Sequence, residues 1–240
     1  MRDKSITDGL YITEDYCAFY KPKKAVFISD LHLGYGRTTK GDGMETLSLQ
    51  KEKILDRLSD IKNRYDPNKL FVLGDFKHNF GRSEDDEFRD ILDIMDYMLK
   101  GTSVEMLKGN HDNYLKNMTN IKDIGLHDKS IEFGFLRLTH GHLDIELKEN
   151  SFLIIGHEHP TLEIKDELGT KMRYPVFLYN PQLKKLVLPS FNPMVKGRNI
   201  LRSDSPLTPN IENFDEFQVF AITERGIKDF KTVFELKNIF

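Results

Sequence analysis

Short apolar runs, each ended by glycine or a polar residue, divide the first two-thirds of the chain. They occupy residues 25–28, 70–73, 104–107 and 152–155. Runs of this length and boundary are typical of strands that are buried on both faces. Before them, residues 10–20 alternate and are rich in aromatic side chains, which predicts an opening strand.

Helical spacing appears between the runs. Leu47, Ile54, Leu58 and Ile61 recur at helical intervals among charged residues, which predicts an amphipathic helix. A second helix is predicted to begin at Ser83, because serine is a good N-cap and the acidic residues that follow it suit the positive start of a helix. Strands that alternate with helices indicate βαβ units and a largely parallel sheet.

The second half of the chain has a different pattern. Short strands separated by turn residues are predicted over 131–138, 161–164, 173–179, 184–188, 217–222 and 227–236. This pattern favours a second, more antiparallel sheet that packs on the first, with a loop over 203–213. The 240 residues are expected to form a single domain, 1–240, in which residues 160–240 complete the second sheet.

Composition narrows the classes of function. The formal net charge is −3, so the whole protein does not present a basic field to nucleic acid, although bound cations and a local basic rim could supply one. The single cysteine, Cys17, cannot form an intramolecular disulfide. Its apolar and aromatic neighbours indicate a small residue in an early strand, so the metal ligands are expected to be nitrogen and oxygen atoms. No apolar run of membrane-spanning length and no signal-type stretch occurs, and a cytoplasmic protein without membrane contact is the expectation.

Five polar motifs carry the candidate chemistry, and most of them follow an apolar run. They are Asp30-Leu31-His32, Gly74-Asp75 with Lys77-His78, Gly109-Asn110-His111-Asp112, His140-Gly141-His142 and Gly156-His157-Glu158-His159. In an open α/β sheet such residues meet beyond the carboxyl ends of the strands. Aspartate, histidine and asparagine there suit two metal ions about 3.5–4 Å apart that share a carboxylate.

The ordered motifs resemble those of the calcineurin-like metallophosphoesterases, and most closely a prokaryotic group of small phosphoesterases related to the double-strand-break repair nucleases. The resemblance spans residues 30–159. It implies an α/β fold, a four-layer α/β/β/α sandwich of two mixed sheets flanked by helices. It also implies a metal-dependent phosphoesterase.

Carried over by position, the resemblance implies two divalent ions, with Mn²⁺ favoured and Zn²⁺, Fe or Co²⁺ as alternatives. Asp75 would bridge both ions. The implied metal ligands are Asp30, His32, Asp75, Asn110, His140, His157 and His159. A metal-bridged hydroxide would attack phosphorus while His111 assists the leaving group.

Other residues near the motifs are given supporting roles. His78 stands where many family members have aspartate and is expected to contact substrate or orient His111. Asp112 is expected to support the site, and His142 to lie near it. His127, outside the motifs, is expected in a surface turn. Candidate substrate-binding residues are Arg37, Arg82, Lys196 and Arg198.

The nuclease-like resemblance favours a phosphodiester in DNA or RNA as substrate, with a role in DNA repair. Two alternatives stay open. One is a phosphodiesterase or phosphatase for small molecules, such as a cyclic nucleotide or a nucleoside polyphosphate. The other is a non-catalytic protein that binds metal and a partner. The sequence predicts no particular protein partner and no oligomeric state.

Overall fold

A computed structural model shows two β-sheets that face each other, with helices on the outside. It describes residues 3–35, 43–79, 85–165, 169–203 and 205–239, apart from the side chains of 43–47, 85 and 86. The predicted helix start at Ser83 lies outside these residues. No helix of the described part is long and apolar enough to cross a bilayer.

The first sheet has seven strands in chain order, which are β1 (Asp3–Thr7), β2 (Leu10–Thr13), β3 (Ala18–Tyr20), β4 (Ala25–Ile28), β5 (Lys69–Leu73), β6 (Ser103–Leu107) and β7 (Gly125–His127). The first four strands are antiparallel, and the strands from β4 to β7 are parallel. Three helices connect the parallel strands: α1 (Gly43–Tyr65), α2 (Asp85–Leu99) and α3 (Leu115–Ile121). A 3₁₀ turn, Lys21–Lys23, joins β3 to β4.

The second sheet has nine strands, which are β8 (Ile131–Phe133), β9 (Leu136–Thr139), β10 (Phe152–Ile155), β11 (Pro160–Lys165), β12 (Lys171–Asn180), β13 (Lys185–Val187), β14 (Arg198–Asn199), β15 (Gln218–Thr223) and β16 (Gly226–Thr232). The order is β14-β11-β12-β13-β10-β9-β8, and β15 pairs with β12 and β16. β10 runs parallel to both of its neighbours, so this sheet is also mixed.

Four local predictions were wrong. The strand expected over 131–138 is a hairpin of β8 and β9, with Gly134 in a left-handed turn (φ 67°) between them. Residues 10–20 form the β2–β3 hairpin, because Tyr16 has a left-handed backbone (φ 61°) that a continuous strand does not accommodate. The strand expected over 227–236 gives way at Thr232 to a short helix, α4 (Val233–Lys237), since Thr232 and Glu235 form a reciprocal capping box. His127 lies in β7 with its Nε2 2.8 Å from Glu105 Oε2, rather than in a turn.

The apolar side chains sort into the layers of a sandwich. Between the sheets, Phe27 stacks on Phe71 with ring centroids 5.3 Å apart, and Phe177 and Phe220 of the second sheet join this core. A second core lies between the first sheet and α1 and α2. The outer face of the second sheet packs against α4 and the irregular segment before β15. The predicted four-layer α/β sandwich is confirmed. Its fourth layer is thin, because it consists of α4 and the irregular segment before β15.

Candidate metal centre

The polar motifs meet where parallel strands of both sheets end. Asp30 and His32 follow β4, Asp75 follows β5, and His140 follows β9. Backbone hydrogen bonds continue from strand to strand past these ends: His32 N donates to Asp75 O (2.8 Å) and Gly156 N to His140 O (3.0 Å). The motifs are therefore held in register by the same ladders that build the sheets.

Left-handed backbone turns aim the motif side chains. The five non-glycine residues concerned are Asp30 (φ 61°), His32 (43°), Asp75 (45°), His157 (69°) and His159 (43°). A non-glycine residue in this region costs on the order of 1–3 kcal/mol, and such costs concentrate at functional sites. These residues lie in the segments that follow β4, β5 and β10, where the motif side chains come together.

One group of side chains gathers around Asp30. The ligand atoms of Asp30, His32, Asp75 and His159 all lie within 4.8 Å of one another. His159 Nε2 is 3.0 Å from Asp30 Oδ1, and His32 Nε2 is 3.2 Å from His159 Nε2. This spacing is that of a cage around a single small cation.

A second group shares Asp75 with the first. Asp75, His140 and His157 place their ligand atoms within 4.8 Å of one another. Asn110 Oδ1 lies 3.1 Å from His140 Nε2, so its amide oxygen joins the group. His140 Nδ1 donates to Leu73 O (2.8 Å), which leaves Nε2 as the atom that can bind a metal.

The hydrogen bonding and charge of these donor atoms suit bound metal ions better than direct contacts among the donor atoms themselves. Asp30 Oδ1 is buried and, among the described residues, makes no hydrogen bond of acceptable geometry. Burial lowers the pKa of His32 to about 3 and that of His157 to about 4, so both imidazoles are neutral and can ligate. A buried carboxylate oxygen that makes no hydrogen bond of good geometry, in a cluster where two of the imidazoles are neutral, is the arrangement expected around a cation, and carboxylate, imidazole and amide ligands suit divalent metals.

His140, unlike His32 and His157, favours its protonated form. Burial disfavours its charged form, but the hydrogen bond and charge of Asp75, with the charge of Asp30, outweigh this and raise the pKa of His140 to about 9. A metal ion that binds through His140 must therefore displace a proton near neutral pH.

His111 and His78 lie beside the shared carboxylate. The backbone N–H of His111 donates to Asp75 Oδ1 (2.9 Å), and its Nδ1 donates to the carbonyl oxygen of His78 (2.6 Å). The His111 ring stacks on the His78 ring with centroids 5.3 Å apart. His78 Nδ1 is also 3.4 Å from His32 Nδ1, so His78 contacts both a proposed ligand and the proposed acid.

Asp112 ties two of the loops together. Its Oδ1 accepts from the backbone N–H groups of Phe76 (2.9 Å) and Lys77 (3.1 Å), and its Oδ2 accepts from Gly109 N (2.8 Å). Burial, followed by the charge of Asp75, raises the pKa of Asp112 to about 6. These contacts agree with the expected supporting role.

Comparison with known protein families shows which family this chain belongs to. A family described as calcineurin-like phosphoesterase matches residues 23–184. The chain belongs to this family. It is therefore a metal-dependent phosphoesterase, and the two His/Asp groups that share Asp75 are its candidate divalent-metal centre.

A solved structure shares the fold over nearly the whole chain. The crystal structure of Pseudomonas putida nuclease MPE matches with a TM-score of 0.68 and 20% sequence identity, and covers 92% of this chain and 94% of that chain. At this identity the likeness concerns the fold. No curated protein matches the chain in a sequence comparison.

Of the four predicted substrate-binding residues of this phosphoesterase, the structure describes Arg198 and Lys196. Arg198 Nη1 lies 3.1 Å from buried Glu158 Oε2, whose other oxygen accepts from the backbone N–H groups of Leu207 and Thr208. These contacts support a role for Arg198 in holding the loop between His157 and His159. Lys196 is exposed, and Arg37 and Arg82 lie outside the described residues.

Buried polar residues that the sequence reading missed hold the Asp30–His32 turn. Gln50 Nε2 donates to His32 O (2.9 Å), and Ser190 Oγ donates to Asp30 O (2.8 Å). Asn192 Nδ2 adds a bond to His32 O (3.3 Å). A signal existed for Gln50, which sits on the apolar face of the predicted helix, between Leu47 and Ile54.

The close approach of Gly109 to Asp75 makes a first prediction. A Cβ on Gly109 would lie 2.1 Å from Asp75 Oδ1 and 2.2 Å from Asp75 N. Gly109→Ala must displace the shared carboxylate, and we expect it to lose both ions after dialysis, measured as bound manganese per chain. Gly101→Ala is the control for backbone strain without a clash, because its left-handed backbone (φ 70°) disfavours alanine but nothing lies within 4 Å of the added methyl group. Two ions bound by Gly109→Ala with native affinity would show that Asp75 is not shared.

The raised pKa of His140 makes a second prediction. Below its pKa of about 9, the metal-free protein carries a proton on His140 that a bound ion must release. Apparent affinity for Mn²⁺ should therefore rise about tenfold per pH unit between pH 6.5 and 8. Calorimetry in buffers of different ionisation enthalpy counts the protons that metal binding releases. The His127→Ala control should release as many protons as the native protein. A binding enthalpy that does not depend on the buffer would contradict this account.

Proposed function

We propose that this metallophosphoesterase uses two divalent ions, with Mn²⁺ favoured, to hydrolyse phosphodiester bonds in nucleic acid. The observation that carries the proposal is the pair of buried ligand groups that share Asp75, with His111 directly beside it. Two-metal phosphoesterases need such a shared carboxylate and a nearby proton donor.

In this proposal Asp30, His32 and His159 hold the first ion, Asp75 bridges the pair, and the second ion is held by Asn110, His140 and His157. When bound, the ions would activate a water molecule and offset the negative charge that develops on the phosphoryl group. Apart from Asn110, these ligand atoms gather within 4.8 Å of one another in two groups that share Asp75, which is the support for this division; a third group of the described residues, His32, His78 and His111, contains no carboxylate.

His111 is proposed to protonate the leaving oxygen. The His78 carbonyl accepts from its Nδ1, so the ring is held with Nε2 toward the crevice, 4.0 Å from Asp75 Oδ2. His78 is proposed to keep this ring in place by stacking and to contact the substrate. A histidine held in one tautomer beside the metal centre is suited to general acid catalysis.

Two observations support nucleic acid as the substrate class. The nuclease-like motifs of the sequence include His78 in place of the more common aspartate. The fold matches that of a protein described as a nuclease. With a net charge of −3, attraction for a polyanion would have to come from the metal centre and local cations such as Lys196, not from the whole surface.

The experiment that tests this function is cleavage of end-labelled single-stranded DNA by the purified protein with Mn²⁺. An EDTA sample and Asp75→Ala are the controls. Cleavage that requires Mn²⁺ and Asp75 supports a nuclease, and the product ladder gives its polarity. Hydrolysis of a small generic diester without DNA cleavage would replace nucleic acid by a small phosphate ester. Metal binding without any hydrolysis would leave a non-catalytic binding protein.

The role of His111 makes a separate prediction. His111→Ala should keep both ions but lower the single-turnover rate by about 10²–10⁴, the usual contribution of a positioned acid. His127→Ala removes a histidine that pairs with Glu105 and should retain the native rate. Loss of bound metal from His111→Ala would assign His111 to the ligands instead.

A further inference from the structure

Glu158 is a buried acid inside a metal motif, but it is not placed as a metal ligand. It stands between His157 and His159, which are proposed to hold the second and the first ion respectively. Among the described residues, the groups of side chains that could hold an ion do not include Glu158. Its side chain is 2% exposed, and a buried carboxylate is costly unless it is paired or hydrogen-bonded. The partners of this carboxylate therefore indicate what it does.

The carboxylate of Glu158 binds a segment that is distant in the chain, residues 205–210. Its Oε1 accepts from the backbone N–H groups of Leu207 (2.6 Å) and Thr208 (2.7 Å). Its Oε2 lies 3.1 Å from Arg198 Nη1, and Nη2 of the same guanidinium donates to Ser205 O (3.2 Å). Both oxygens of Glu158 thus fasten the turn between the two proposed metal ligands to segment 205–210.

Segment 205–210 also holds the chain that follows His140. Asn210 Nδ2 donates to Leu143 O (2.8 Å), and Asn210 Oδ1 accepts from the backbone N–H of Ile145 (3.1 Å). The sequence pattern predicted only a loop at this segment. In the structure, the segment contacts two of the five metal motifs or the chain directly beside them, so it can hold both halves of the metal centre in place.

We propose that Glu158 is a positioning residue for both metal ions, because it fixes the turn that carries His157 and His159. The proposal rests on the two-ion site of the proposed function, in which these histidines belong to different ligand groups. Both have left-handed backbones (φ 69° and 43°), a conformation that persists only where the surrounding structure maintains it. Without the contacts of Glu158 the two ligands would gain freedom, and both ions should bind more weakly.

The test measures Mn²⁺ binding to the full chain without substrate, by calorimetry and by EPR. Glu158→Ala should lower the affinity for both ions by about 10–100-fold, the usual effect of losing a contact that orients metal ligands. Glu158→Gln keeps an oxygen that can accept from Leu207 and Thr208, so its affinities should lie between those of the native protein and Glu158→Ala. The EPR spectrum of a coupled manganese pair should likewise give way to that of isolated Mn²⁺ in Glu158→Ala.

Glu163→Gln is the matched control, because Glu163 is also an acid that pairs with an arginine and lies on the next strand, β11. Its side-chain partners, Arg173 (2.6 Å) and Lys171 (3.6 Å), lie outside the metal motifs, so this variant should bind both ions as the native protein does. Thermal unfolding of the metal-free proteins separates positioning from stability. A purely structural Glu158 would lower the Tm and leave the manganese affinities of the folded variant unchanged.

Arg198→Gln decides the matter if Glu158→Ala does not fold, since it removes the charged partner of Glu158 and should also weaken both ions. Native affinity in a folded Glu158→Ala protein, or in Arg198→Gln where Glu158→Ala is unfolded, overturns the proposal, and so does weakening of one ion alone. A native protein that binds a single ion would refute the two-ion site, and this proposal with it. Since no cleavage is measured, a failure of the nuclease proposal would leave the result on Glu158 standing.

Discussion

The rest of this structure depends on one constraint: two carboxylates, those of Asp30 and Asp75, are buried where the two sheets meet. They are 0% and 2% exposed. Isolated buried carboxylates are costly. Burial alone would raise the pKa of Asp75, but the hydrogen bond and charge of His140 and the His111 backbone N–H hold that pKa low. The charge of His159, likewise, outweighs burial and holds the pKa of Asp30 low.

The fold supplies what these carboxylates need. Parallel strands from both sheets end together, and tight left-handed turns after them direct five side chains inward. Buried polar residues from elsewhere, including Gln50 and Ser190, hold the backbone of the first turn. The strain of these turns is offset by the hydrogen bonds and packing around them. A ligand cage built in this way is preorganised before any ion arrives.

Much of this arrangement was predictable because its signals are local. Short apolar runs followed by aspartate, histidine or asparagine mark strand ends, and parallel topology brings those ends together. Contacts between distant segments carry no such signal. No local pattern indicates that Arg198 pairs with Glu158, which lies 40 residues earlier in the chain. Short elements such as β7 and α3 were missed because a few residues do not establish a period.

The most direct test of the shared-carboxylate site is anomalous diffraction from crystals of the protein grown with Mn²⁺. We predict two manganese peaks about 3.5–4 Å apart, one on each side of Asp75, with Asp30, His32 and His159 around the first and Asn110, His140 and His157 around the second. A single peak, or two peaks that do not share Asp75, would contradict the account.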